Sequence, residues 1–170
     1  MPRITENELL LVSKSNQETL KGFVRGAQLT SRSGKTIHEL QVRVALDRIK
    51  LANLHLRQAV ASSRAKLPQH RSTVSRAYYA MYHAARAATY ISIGGDDHEQ
   101  HSVLPTKLPA DFPNCDEWKN RLKIARLERN RADYDPYPAG DMEFSESAGE
   151  LLQNARILVK LARAYLQSKT

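Results

Sequence analysis

The chain has 170 residues, 26 Lys and Arg against 18 Asp and Glu, one Cys and 41% hydrophobic residues. A chain of this length buries roughly two thirds of its unfolded surface, so a core forms without disulfides or a structural metal. A single cysteine, Cys115, excludes a disulfide framework and a Cys-rich zinc site. There is no run of about 18 apolar residues and no apolar stretch behind Met1, so a soluble, cytoplasmic protein without a membrane span is expected. The charge is uneven: residues 1–70 carry 12 basic and 5 acidic side chains, residues 71–170 carry 14 and 13. Binding to a polyanion and simple solvation of a helix surface both fit that excess.

Residues 1–36 are read as an N-terminal extension, partly helical or flexible. Leu9, Leu10, Val12 and Leu20 suggest one weak helix before Gly22, Gly26 and a turn-rich stretch from Thr30 to Gly34. Residues 37–170 are read as one helical domain. From 38 to 66, Ala45, Ile49, Ala52, Leu56 and Ala59 recur at helical spacing, and Pro68 ends the element. Its opposite side carries Arg43, Asp47, Lys50, Arg57 and Arg64, and Arg43, Lys50 and Arg57 are candidates for tracking phosphates.

A second helix is expected from Ser72 to about Ile93, with Ala77, Ala80, Ala84 and Ala88 admitting a close neighbour and Gly94 and Gly95 stopping it. Asp96 to Pro113 reads as a long loop or short turns. Asn114 with Glu117 resembles a capping box for a third helix to about Asp133, with Asp116 a rival cap. Ser147 with Glu150 repeats that signature in the last element, where Ala148, Leu152, Ala155, Val159, Ala162 and Leu166 form the stripe. No segment alternates with period two, so the fold class is all-α, a bundle of four main helices.

Three groups of residues bear on function. Arg129 continues the apolar stripe Trp118, Leu122, Ala125 and Ala132, which aims a guanidinium inward. Such a charge needs a partner or a ligand groove; Asp133 is the local partner, and Asn130 and Tyr134 flank the pair. On the central helix Arg76, Tyr79, His83 and Arg86 share one face, suited either to a phosphate, with His83 moving protons, or to ordinary packing. Tyr78 and Tyr82 form a separate edge, read as core or interface. Asp96, Asp97, His98 and His101 look superficially metal-like but match no strong ligand spacing, and neither a metal nor a cofactor is expected. Phosphate-loop, zinc-protease and serine-hydrolase motifs are missing, and Cys115 beside Asp116 and Glu117 lacks an activating setting.

Ser75-Arg76-Ala77-Tyr78-Tyr79-Ala80-Met81-Tyr82-His83-Ala84-Ala85-Arg86-Ala87, then His101, then Arg129-Asn130-Arg131-Ala132-Asp133-Tyr134-Asp135-Pro136-Tyr137 together resemble the HEPN superfamily of prokaryotic helical domains. The resemblance covers about residues 38–168. It implies a bundle of four to five helices, usually a homodimer, often encoded beside a minimal nucleotidyltransferase in toxin–antitoxin pairs or antiviral systems. Many members are metal-independent ribonucleases, with an Arg followed four to six residues later by a His, two protomers meeting at a cleft. By that resemblance Arg129, Asn130, Asp133 and Tyr134 are the candidate catalytic residues. Tyr134 stands where the nuclease would carry His, and a phenol of pKa about 10 is a poor base at neutral pH. Two functions are therefore expected: an RNA- or nucleotide-binding effector with ribonuclease activity, or a non-catalytic subunit pairing with a nucleotidyltransferase or other effector protein.

Overall fold

The structure, a computed structural model, describes residues 4–96 and 98–169. It divides into two compact units, Met1–Leu40 and Gln41–Thr170. In the first, α1 (Glu6–Lys14) opens on a capping box: the Glu8 amide donates to Thr5 Oγ1 at 3.3 Å and the Thr5 amide to Glu8 Oε2 at 2.7 Å. In α2 (Gln17–Ser33), Asn16 Oδ1 accepts from the Thr19 amide at 2.9 Å, and Gly34 ends the helix in the left-handed region at φ 64°. The single weak helix expected here is thus two helices, and Gly22, Gly26 and Thr30 lie inside α2 rather than after it. Each internal glycine costs about 1 kcal/mol against alanine, but caps at both ends define the helix despite them.

The second unit is built on four long helices: α3 (Ile37–Ser63, which begins in the first unit), α4 (His70–Ile93), α5 (Cys115–Tyr134) and α6 (Ser145–Gln167). Short 3-10 turns, Leu104–Lys107 and Asp141–Phe144, precede α5 and α6. No strand occurs among the described residues. Ala45, Ile49, Ala52 and Ala59 bury one face of α3, while Leu56 is half-buried. α4 is buried nearly all round, its small residues Ala77, Ala80, Ala84, Ala85, Ala87 and Ala88 meeting the core and letting α5 and α6 approach. Gly94 stops it at φ 79°.

The caps of these helices differ from the sequence expectation. Asn114 sits at φ 53° with no side-chain cap bond, and Glu117 instead pairs with Arg121 at 2.6 Å, so the expected capping box is not made. Ser147 lies in the first turn of α6 rather than at its cap, and its hydroxyl donates to Glu128 Oε2 at 2.7 Å and joins α6 to α5. α4 begins two residues before Ser72 because a distant carboxylate caps it. Asp141 accepts from the His70 amide at 2.7 Å and the Arg71 amide at 2.9 Å.

Arg71, just inside that cap, holds the far end of α5. Its guanidinium lies over the Phe144 ring and donates to the carbonyls of Ala132 at 2.8 Å, Asp135 at 3.0 Å and Pro138. Those carbonyls end α5 or follow it, so one side chain satisfies acceptors that a helix C-terminus leaves open. The segment carrying Arg129 to Tyr134 is thereby fixed against α4.

Candidate functional site

Trp118, Leu122, Ala125 and Ala132 bury one stripe of α5, and Arg129 lies in that stripe at 5% exposure. Its guanidinium carbon is 5.1 Å from the centre of the Tyr78 ring, 5.5 Å from Tyr79 and 5.5 Å from Tyr134. Nη1 donates to the Tyr134 hydroxyl at 3.0 Å, and Nε is buried with no hydrogen-bond partner. Asp133 Oδ2 stands off at 3.9 Å from Nη1 and accepts from Ser75 Oγ at 3.2 Å. The cation is therefore held chiefly by phenols rather than by a close ion pair. Burial would pull its pKa down, but Tyr79, Tyr78 and Tyr134 keep it above the ordinary arginine value. Asn130 is half-buried beside it, and Tyr134 reaches back from an exposed position.

Tyr78, on the buried side of α4, links this cation to an imidazole. Its hydroxyl lies 2.5 Å from His101 Nδ1, and the His101 ring stacks on Tyr82 with centroids 4.1 Å apart and planes at 12°. Tyr82 in turn donates to the Glu99 carbonyl at 2.6 Å, which ties down the loop carrying His101. Burial pushes the Tyr78 phenol up to about 12, against the opposing pull of Arg129. Burial, then Arg129, Arg86 and Arg126, hold His101 below the usual imidazole range.

The other α4 candidates divide among different surroundings. Tyr79 joins Arg129 and also stacks on His55 of α3 at 5.5 Å. His83 stacks on His55 at 5.3 Å with planes at 8° and meets the edge of Tyr82 at 5.2 Å. Its pKa is lowered to about 4, first by burial and then by His55, Arg86, Arg48 and His101. Arg86 lies over Tyr82 at 5.3 Å and reaches Glu99 at 3.9 Å, whereas Arg76 is exposed. Sequence reasoning named Tyr79, His83 and Arg86 but set Tyr78 aside, and it missed His55 altogether. His101 was read as a doubtful metal ligand and as part of the family pattern, without a partner. His101 turns to Tyr78, while His98 Nδ1 lies 3.5 Å from Asp96 Oδ2 and Asp97 is outside the described residues. Among the described residues no group of three or more His, Cys, Asp or Glu is placed to hold a metal ion.

The basic face of α3 is less positive than its spacing suggests. Arg43 Nε and Lys50 Nζ bond the two oxygens of Asp47 at 2.9 and 2.7 Å, leaving Arg57, and Arg64 just past the end of α3, as exposed cations of the row without a carboxylate among the described residues. A groove of about 200 Å³ between α3 and α6 adds a second basic feature, lined by Asn53, Leu56, Arg156, Val159, Lys160 and Arg163.

The second unit is thus a four-helix α domain with one guanidinium buried among tyrosines, beside a tyrosine-bound imidazole. A family model for the HEPN domain matches residues 45–165, and the chain belongs to that family. Membership points to work on RNA or nucleotides. No match appears among curated proteins or among solved structures. No helix among the described residues is long and apolar enough to cross a membrane.

Proposed function

We propose that this chain binds the phosphate of RNA or of a nucleotide through Arg129, at a groove between the protomers of a homodimer, within a toxin–antitoxin or antiviral system. The observation that carries this reading is a guanidinium 5% exposed whose nearest carboxylate oxygen, on Asp133, stays 3.9 Å away. A phosphate supplies the charge that the phenols do not, and a charge-assisted bond at a dry site is worth more than one in water. Asn130 adds a hydrogen bond to the same anion, and Arg76, Tyr79, His83 and Arg86 form its α4 side. A nucleotidyltransferase or other effector is the protein partner.

Binding without cleavage is the form best supported here. Tyr134, at the position of the nuclease imidazole, already accepts a hydrogen bond from Arg129, and His83 is stacked on His55. Labelled RNA incubated with the purified protein in EDTA separates binding from cleavage. Retained RNA that stays intact, and is lost with Arg129→Ala, supports the reading. Arg129-dependent cleavage in EDTA makes the chain a metal-independent ribonuclease instead. RNA and nucleotide affinities untouched by Arg129→Ala defeat the assignment of the site. Light scattering tests the dimer: a mass of twice 19.2 kDa at micromolar concentration is expected, and a monomer rejects it.

A further inference from the structure

We propose that His101 completes the phosphate site of Arg129, its ring fixed by Tyr78 so that it presents Nε2–H to the bound anion. The inference rests on the phosphate reading of Arg129 and assigns a second ligand group from outside the helix that carries Arg129.

Hydrogen bookkeeping sets the tautomer. The Tyr78 hydroxyl lies 2.5 Å from His101 Nδ1 and also interacts with the Arg129 guanidinium. A guanidinium has no acceptor, so the phenol hydrogen cannot be directed at Arg129. Tyr78 keeps that hydrogen at neutral pH, since its pKa is pushed up to about 12. The hydrogen therefore goes to His101 Nδ1, and a neutral imidazole that accepts at Nδ1 carries its proton on Nε2. In the opposite tautomer Nδ1–H would donate to the phenol oxygen, and the phenol hydrogen would have no acceptor among the described residues.

The surroundings then decide what Nε2–H meets. Stacking on Tyr82 at 4.1 Å and on Tyr78 at 5.6 Å fixes the ring plane. His101 is half-buried, and its Nε2 edge, away from Tyr78, is uncommitted among the described residues. Three guanidinium groups, on Arg86, Arg126 and Arg129, bear on this imidazole, and Arg129 Nε is buried without a partner. The Asp133 carboxylate stands 3.9 Å from Arg129. His101 and Arg129 thus offer donors from two elements, with no close carboxylate on Arg129, which suits an anion with several acceptor oxygens. With its basic nitrogen occupied by a phenol, His101 acts as a donor and is not free to take a proton from a ribose hydroxyl. Tyr78 is a positioning residue: it acts through the imidazole.

The test uses the full chain labelled with nitrogen-15, with adenosine monophosphate and a short single-stranded RNA as probes. At pH 7 the long-range proton–nitrogen spectrum should show His101 protonated on Nε2 and bare on Nδ1, and a probe should shift Nε2. A shift with both probes identifies a nucleotide phosphate as sufficient, and a shift with RNA alone requires the polymer. His101→Ala should weaken binding about tenfold or more, the loss of one hydrogen bond to a charged group. His101→Gln, whose amide N–H falls near the Nε2 position, should stay within about threefold of the native protein. Tyr78→Phe should leave the fold intact by circular dichroism while His101 becomes a tautomer mixture. An Nδ1–H or cationic His101 at pH 7 overturns the proposal, as does unchanged affinity in His101→Ala when Arg129→Ala abolishes binding; in that second case the phosphate reading of Arg129 stands. Unchanged affinity in Arg129→Ala removes that reading and the role of His101 with it.

Discussion

A buried cation held by three phenols has a different stability consequence from a buried ion pair. Breaking a close pair strands a charge and costs about 3–5 kcal/mol, but Asp133 is exposed and already served by Ser75, so little is stranded here. Arg129→Met keeps most of the volume beneath Tyr78 and Tyr79 and removes the desolvated charge. Its melting temperature should lie within about 3 °C of the native value or above it, while RNA binding is lost. Calorimetry beside a binding assay checks this, and a fall of more than about 10 °C would make the guanidinium itself structural. The inward aim of Arg129 was legible from its place between Ala125 and Ala132. Asp133 and Tyr134 were legible as neighbours on the same helix, but Tyr78 and Tyr79 were not, because they meet it from another helix, which helical spacing does not report.

His83 carries a residue-scale prediction with a definite sign. Its folded pKa, about 4, lies below the ordinary 6.5, so the folded state takes up the proton less readily than the unfolded chain. Stability is whole above about pH 6.5 and is lost as pH falls toward 4. The facing groups, His55, Arg86, Arg48 and His101, all add positive charge on that side of the titration. His83→Phe preserves a stacking ring on His55 without the titrating group, so thermal unfolding measured between pH 7 and 4 should lose part of its acid dependence. Some slope should remain, because His55 and His101 are lowered in the same direction. An identical slope in the variant would show that His83 contributes nothing to it.

At the scale of the elements, the apolar stripes of α3, α5 and α6 were readable because each is a local pattern repeated over several turns. The start of α4 was placed two residues late because the group that caps it is remote. Asp141 follows α4's first residue by 71 positions in the chain, and no window of sequence joins it to the amides of His70 and Arg71. Burial alone would raise the Asp141 carboxyl, but those two amide bonds hold it below the usual range. Its contribution is therefore present above the ordinary carboxylate pKa and is lost as pH falls through the lowered folded value. Asp141→Ala should cost about 1–2 kcal/mol, as other N-cap deletions do. Hydrogen exchange should speed up in the first turn of α4 ahead of its centre. Uniform exchange along α4 would mean that packing, not the carboxylate, holds that end.

For the whole molecule, the charge excess of residues 1–70 gave a direction, but pairing alters where it is usable. The row on α3 reads as Arg43, Lys50 and Arg57 in sequence, yet Asp47 bonds the first two, and Lys50→Glu would place a second carboxylate beside Asp47 rather than simply erase a free cation. The groove on the α6 side has Arg156, Lys160 and Arg163 on its lining. If RNA phosphates follow the α3 row, Lys50→Glu with Arg57→Glu should flatten the dependence of log affinity on log salt by about one unit per lost contact. If they follow the α6 groove, Arg156→Glu with Lys160→Glu should flatten it instead, leaving the α3 pair near the native slope. Exposed charges contribute about 0–1 kcal/mol to folding, so neither pair should move the melting temperature much. Titrations of one RNA at several salt concentrations, run on both double variants and on Arg129→Ala, assign the contacts: an unchanged slope in both charge-reversed proteins would leave their cations to solubility and confine phosphate recognition to the buried site.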